Sequence, residues 1–235
     1  MFKNKRFFII SGILMSFLFC VSVASFAAAT ATAPKKHVIM IDPAHGGKDA
    51  GIKMSSGSSE KDVTLAVALA IQKEFSKESN LEIILTRNAD KEITLDDRRK
   101  NIEKINPDLA ISLHVNAGFG KNASGFEIYY PDYADDAGKD KKAAKDDKSQ
   151  LKNKCRNDAL KIANIVQENL SALFPRKGRG LRKADLPVTD GLLVPAMSVE
   201  MGFATNADDK KKLLSAKTQA DVAKALAKSI KAFYR

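Results

Sequence analysis

Two histidines and two glutamates sit where the apolar pattern of the chain breaks. His45 follows the run "HVIMIDPA", and His114 closes the run "DLAISLH". Short apolar runs of this kind read as buried strands, and a strand tip has no structural need of an imidazole. In an α/β sheet, ligands collect beyond the carboxyl ends of the strands. Two histidines in equivalent strand-end positions therefore point into one site. The third, His37, opens the first run and carries no such implication. A pair of imidazoles suits zinc, and a catalytic zinc site takes a third protein ligand while leaving one position for water. Either of two glutamates can be that ligand. Glu60 sits in the first turn of an expected helix just after the loop that holds His45, a place where an acid also complements the helix dipole. Glu200 interrupts "MSVEMGF", where an acid is costly unless it is paired or used. Composition alone leaves open which of the two binds metal.

Elements that alternate between strand and helix must position these residues. "HVIMID", "LEIILT", "DLAISLH", "GFEIYY" and "AMSVEM" are the expected strands, over 37–42, 81–86, 108–114, 125–130 and 196–201. Between the first two, Ser59 with Asp62 resembles a capping box, and Val63, Val67, Ala70, Ile71 and Phe75 follow at helical spacing. Thr94 with Asp97 repeats the device ahead of a helix over 95–105, which Asn106-Pro107 ends. A long helix is expected from Cys155 to Phe174, a short one begins at Asn206 with Asp209, and Val222, Leu226, Ile230 and Phe233 line a last one. The expectation is a single α/β domain, with a twisted, mixed or mostly parallel sheet layered by helices on both faces.

The chain has 235 residues and a formal net charge of +11. Lys3, Lys5 and Arg6, then an uncharged apolar run, then "AAATATA" give the order of a secretory signal peptide, with cleavage near 27–29. An uncleaved membrane anchor is the alternative, since the run is about long enough to span. Residues 30–36 then read as a short linker to a domain over 37–235. Removing the leader takes three basic residues and no acid, so the charge falls from +11 to +8. That balance suits an anionic surrounding such as a bacterial cell wall; export and the absence of any recognition motif argue against nucleic acid. Cys155 is the one cysteine left after the leader, so the domain relies on its core and not on a disulfide. The segment "DYADDAGKDKKAAKDDKSQLKNK" (132–154) carries six acids and seven bases with almost no large apolar residue. It reads as an exposed insertion, flexible or a solvated helix, and either a tolerated loop or a mobile cover over a site.

The ordered blocks "IDPAHGGKDAG", "EKDVTLAVALAI", "LTR", "LDDR", "AISLHVNA" and "VEMGFATN" resemble those of the zinc-dependent N-acetylmuramoyl-L-alanine amidases, and the resemblance runs over essentially all of the chain after His37. It implies one zinc ion held by His45, Glu60 and His114, with Glu200 as the catalytic acid–base. It also implies peptidoglycan as substrate, cut at the amide between N-acetylmuramic acid and the L-alanine of the stem peptide, in the periplasm or cell wall. Regulated members carry an inhibitory helical segment at the place of the 132–154 insertion. The family usually has glycine where this chain has Ala44; if that position needs positive φ, alanine costs about a kcal/mol. Arg87 and Arg98 read as helix- or loop-fixing groups, Asn116 as a group that orients a metal ligand or touches substrate, and Asn206 as a helix cap. Substrate-binding residues are not readable, no activator protein is identifiable, and a monomer is expected. Two rival functions remain: a zinc peptidase acting within the stem peptide, and a non-catalytic wall-binding module.

Overall fold

The computed structural model describes residues 36–55, 57–131, 133, 147–174 and 177–235. The expected signal peptide and most of the charged insertion lie outside these residues. Among the described residues, eight strands and five helices follow one another: β1 (His37–Pro43), β2 (Lys53–Ser55), β3 (Ser58–Ser59), α1 (Glu60–Glu74), β4 (Leu81–Leu85), α2 (Leu95–Ile105), β5 (Leu109–Asn116), β6 (Phe126–Tyr130), α3 (Asp147–Leu173), β7 (Gly178–Lys183), β8 (Ala196–Phe203), α4 (Ala207–Leu213) and α5 (Ala216–Phe233). Six strands form the main sheet in the order β4-β1-β5-β8-β6-β7, while β2 and β3 pair as a small separate hairpin. The four strands from β4 to β8 are mutually parallel; β6 runs antiparallel to β8 and parallel to β7. The sheet is thus mixed and mostly parallel, as the alternation of elements predicts.

The sheet divides its hydrophobic side chains between two unequal cores. On one face α1, α3 and α5 bury Val63, Ile71, Ile162, Val166, Leu226 and Ile230 against Ile39, Ile41, Ile111, Leu113 and Val199. The opposite face carries a smaller cluster of Met40, Ala110 and Ala196 under Ile102 of α2 and under Leu186, Val188 and Val194 from the connection between β7 and β8. Side chains alternate between faces along a strand. Ser112 and His114 therefore follow Ala110 onto the thinner face, as Ser198 and Glu200 follow Ala196.

Local signals set the helix ends. The Ser59 N–H and hydroxyl both donate to Asp62, at 2.8 Å each, and so begin α1. Thr94 accepts from the Asp97 N–H at 3.1 Å to begin α2, which stops at Asn106 in the left-handed region (φ 46°) ahead of Pro107. Asn206 accepts from the N–H groups of Asp208 and Asp209 and caps α4. Three features depart from the sequence expectation. The long helix α3 begins at Asp147 and not at Cys155, so residues 147–154 of the insertion form its polar first turns. Strand β7 and the β2–β3 hairpin have no counterpart among the expected strands. Among the described residues, no helix is long and apolar enough to cross a membrane.

Candidate metal centre

At the carboxyl ends of β1 and β5, the structure brings His45, Glu60 and His114 together, their potential ligand atoms all within 4.8 Å of one another. His45 Nε2 lies 3.1 Å from Glu60 Oε2, and His114 Nδ1 lies 3.3 Å from Glu60 Oε1. Ligand atoms around a tetrahedral zinc ion, each about 2.1 Å from the metal, stand roughly 3.4 Å apart, so the two spacings fit one ion. The donor set, two imidazoles and a carboxylate, is also the one that a hydrolytic zinc site uses.

Each candidate ligand is oriented from behind. His45 directs Nδ1 at Asp49 (2.8 Å), which turns Nε2 inward. On His114, Nε2 meets the Ser112 hydroxyl at 3.1 Å, and that hydroxyl donates to Asp42 at 2.9 Å, so Nδ1 is left facing the site. Glu60 is 2 % exposed and accepts backbone N–H groups from Val115 (2.9 Å) and Ile52 (3.1 Å). Burial pushes the Glu60 carboxyl up, but the bonds to His114, His45 and the two N–H groups outweigh it and hold it well below the usual carboxylate range. The Glu60 hydrogen bond in turn raises His45 to about 9, against burial and with help from Asp49. His114 is raised as well: burial works against the charged ring, and the bond to Glu60 and the charge of Glu200 prevail. The three groups thus favour a cation among them, whether shared protons or a metal.

Backbone geometry at His45 is unusual. Its φ is 63°, a left-handed value that L-residues with side chains rarely adopt, while Ala44 shows no positive φ. The concern raised by the alanine therefore passes to the histidine itself. Such strain persists where surrounding groups over-determine it. Arg98 donates to the carbonyls of Pro43 (2.9 Å) and His45 (2.6 Å), and Arg87 to those of Pro43 (3.0 Å) and Ala44 (2.9 Å). Both arginines thus fix the loop after β1, and Arg87 also fixes the helix, donating to the Lys61 carbonyl in the first turn of α1 at 2.9 Å. Arg98 also pairs with buried Asp42 at 2.6 Å. Gly51 completes the enclosure: a Cβ there would stand 2.5 Å from His45 Cδ2 and 2.7 Å from Glu60 Oε2, so no side chain fits beside these two groups.

Glu200 stands on β8 directly opposite His114 of β5, with Glu127 of β6 on its other side. Burial pushes its carboxyl up to about 7; the charges of Glu60 and Glu127 add to this, and those of His114 and His45 oppose it. Next to the ligands a cleft of about 210 Å³ opens, with Asp42, Ser112 and Ser198 among its lining residues and Ile93, Leu95, Leu186, Pro187 and Val188 as its apolar part. Periodicity carries no sign of this cleft, because its apolar part comes from loops and from Leu95 at the exposed start of α2. Asn116 donates to Glu127 at 2.8 Å. The sequence reading passed over Glu127 although it interrupts "GFEIYY" much as Glu200 interrupts its own run. His37 lies at the opposite end of β1, stacked on Tyr234. Cys155 is buried in α3 with its thiol pushed up by burial, which leaves it unreactive.

Residues 39–232 match the family model described as N-acetylmuramoyl-L-alanine amidase. The N-acetylmuramoyl-L-alanine amidase CwlM of Bacillus licheniformis is 30% identical over 179 residues, covering 75% of this chain and 60% of its own length. AmiC of Escherichia coli, with the same printed activity, is 28% identical over 222 residues, covering 84% of this chain and 52% of its own. The chain thus spans about half to three-fifths of these two relatives. Among solved structures, the catalytic domain of the amidase CwlV from Paenibacillus polymyxa superposes with a TM-score of 0.70 at 26% identity, over 84% of this chain and 98% of that one.

Proposed function

The chain belongs to the N-acetylmuramoyl-L-alanine amidase family, and from that premise we propose that it is a zinc-dependent peptidoglycan hydrolase. It cuts the amide between N-acetylmuramic acid and the L-alanine of the stem peptide. The observation that carries this reading is the His45–Glu60–His114 group, with ligand-atom spacings of 3.1 and 3.3 Å, facing an acid on the neighbouring strand. One zinc ion held by these three residues would supply Lewis-acid polarisation of the carbonyl and a water acidic enough to lose its proton near neutral pH.

The remaining chemistry belongs to the side chains. Glu200, ionised, accepts a proton from the attacking water as the new C–O bond forms. It then delivers that proton to the alanine nitrogen as the C–N bond breaks, so that acid and free amine leave and Glu200 is returned to its starting state. A carboxyl pushed up to about 7 is matched to both halves of this transfer. Asp49 and Ser112 keep the imidazoles turned, and the Arg87–Arg98 clamp holds the strained tip at His45. The leader expected over residues 1–29 and the basic balance of the chain support export to the cell wall, where this substrate is found.

Digestion of purified peptidoglycan tests the reading. Intact stem peptides with a free L-alanine amine should appear, vanish on chelation and return with added zinc. Fragments cut inside the stem would instead establish the peptidase, and no release at all by zinc-loaded protein would leave a wall-binding module.

A further inference from the structure

Glu127 is a buried carboxylate, 4 % exposed, that neither the metal-ligating group nor the proton transfer uses. Register places it in a row. His114 of β5 pairs with Glu200 of β8, and Glu200 pairs with Glu127 of β6. Directly opposed residues present their side chains on the same face of a sheet. The next strand outward, β7, ends the row with two arginines. Arg179 Nε donates to Glu127 Oε1 at 2.6 Å, and an Arg182 nitrogen lies 3.6 Å from the same oxygen. The other oxygen accepts from Asn116 at 2.8 Å and from the Tyr129 hydroxyl at 2.7 Å. Burial pushes the Glu127 carboxyl up, but the bonds from Tyr129 and Arg179 and the charge of Arg182 outweigh it and keep it ionised.

One carboxylate between two guanidiniums leaves a net positive charge at this end of the row. Both arginine side chains stay open to solvent, 40% and 51% exposed. Arg179 also lies over the Phe203 ring, 5.3 Å from its centroid, which limits its motion. Charge on an edge strand discourages edge-to-edge pairing, but that role does not require anchorage on a buried acid one strand from Glu200. A guanidinium steadied through Nε still offers its remaining N–H groups as a fork, the geometry that matches a carboxylate.

We propose that Arg179 and Arg182, steadied by Glu127, form a subsite for a carboxylate of the acidic stem peptide. The identity of that ligand rests on the amidase reading. The row from β5 to β7 spans three strand spacings, roughly 14 Å, a length that an extended peptide covers in about four residues. The glycan part of this substrate carries no such anion near the bond to be cut, so the subsite also orients the substrate. The peptide runs out across β8 and β6 toward β7, and the sugar is left to the cleft lined by Leu95, Leu186 and Val188.

The test uses zinc-loaded protein and two ligand sets: the free tripeptide L-alanyl-γ-D-glutamyl-L-lysine, and the same peptide on N-acetylmuramic acid. In each set the D-glutamyl α-carboxyl or the terminal carboxyl is free or amidated. Amidating one of them should weaken calorimetric binding of the free peptide, and raise KM for the muramyl peptide, by about tenfold; which one does so identifies the source of the anion. In the Arg179→Gln/Arg182→Gln double variant that ratio should fall to near one. A ratio near one in the unaltered protein, or a tenfold ratio that survives in the double variant, overturns the subsite even when hydrolysis is normal. Binding that follows the carboxylate without any cleavage would instead uphold the subsite and sink the amidase reading. In Glu127→Gln the ratio should shrink, and an unchanged ratio would remove Glu127 from the proposal.

Discussion

At the scale of single residues, the proposed function gives Glu60 and Glu200 different tasks, one holding a metal and the other moving a proton. Glu60 makes four contacts with donors and stays ionised, whereas Glu200, one strand from His114, is pushed up to about 7 by burial. Glu200→Gln should therefore fold, keep stoichiometric zinc by elemental analysis, and lose roughly 10²–10⁴ in turnover; near-normal turnover at the pH optimum would remove Glu200 from the mechanism. Only the ionised carboxyl accepts a proton, so activity should rise with pH as Glu200 loses its own. A cation nearby favours that loss, so the acid limb of kcat/KM against pH should lie below 7 in the zinc-loaded enzyme. Disappearance of this limb in Glu200→Gln checks the assignment. His114→Ala should lose both zinc and activity, and stoichiometric zinc in that variant would take His114 out of the ligand set.

At the scale of elements, the loop after β1 is held in place as firmly as the strands. Arg98 joins α2 to Asp42 of β1 and to two carbonyls of the strained tip. Arg98→Ala leaves the Asp42 carboxylate buried with one charged partner fewer. It should cost about 3–5 kcal/mol in urea unfolding and weaken zinc binding, even though Arg98 touches no metal. Asp49→Asn keeps the shape of the His45 partner but not its charge, and should weaken zinc binding roughly tenfold; retained affinity would show that orientation by Asp49 is dispensable. The sequence exposed this layer unevenly. Strands β1, β4, β5, β6 and β8 are legible because their short runs are dominated by apolar residues, and α1, α2 and α4 because their first turns carry caps. Strand β7, "GRGLRK", is mostly exposed and polar, so periodicity has nothing to register. The early turns of α3 carry no buried residue before Cys155 and look in sequence like the charged segment before them. Glu127 was legible in principle, as an acid inside an apolar strand. Its partners Arg179 and Arg182 lie more than fifty residues away, and pairing is invisible without topology.

At the scale of the whole molecule, the fold places one thick layer of helices behind the sheet and leaves the front thinly covered. The candidate site lies on that front, where α2 and the connection between β7 and β8 leave a cleft beside the His45–Glu60–His114 group. Because that group draws on β1, α1 and β5, metal binding is coupled to the integrity of the main core. Zinc at a hundred times its dissociation constant should add about 2.7 kcal/mol to the unfolding free energy, seen as a rise in Tm that chelator reverses. A Tm indifferent to zinc would mean that the ligands gather only loosely.

The order of strands in the sheet does not follow the order of strands in the chain: β8, synthesised late, lies between β5 and β6. His45, Glu60 and His114 all come from the first half of the chain, where the β1–β5 pairing joins residues 70 apart (Ile39 to Leu109), against 86 (Ala110 to Ala196) for the β5–β8 pairing. Glu200 arrives with the strand that fills the central gap and requires the most distant pairing. Assembly can therefore pass through a stage at which the ligands have already met while the proton carrier is still absent. During refolding, zinc capture should then run ahead of the recovery of hydrolysis, with the sheet's last insertion acting as a built-in delay between loading the enzyme and arming it.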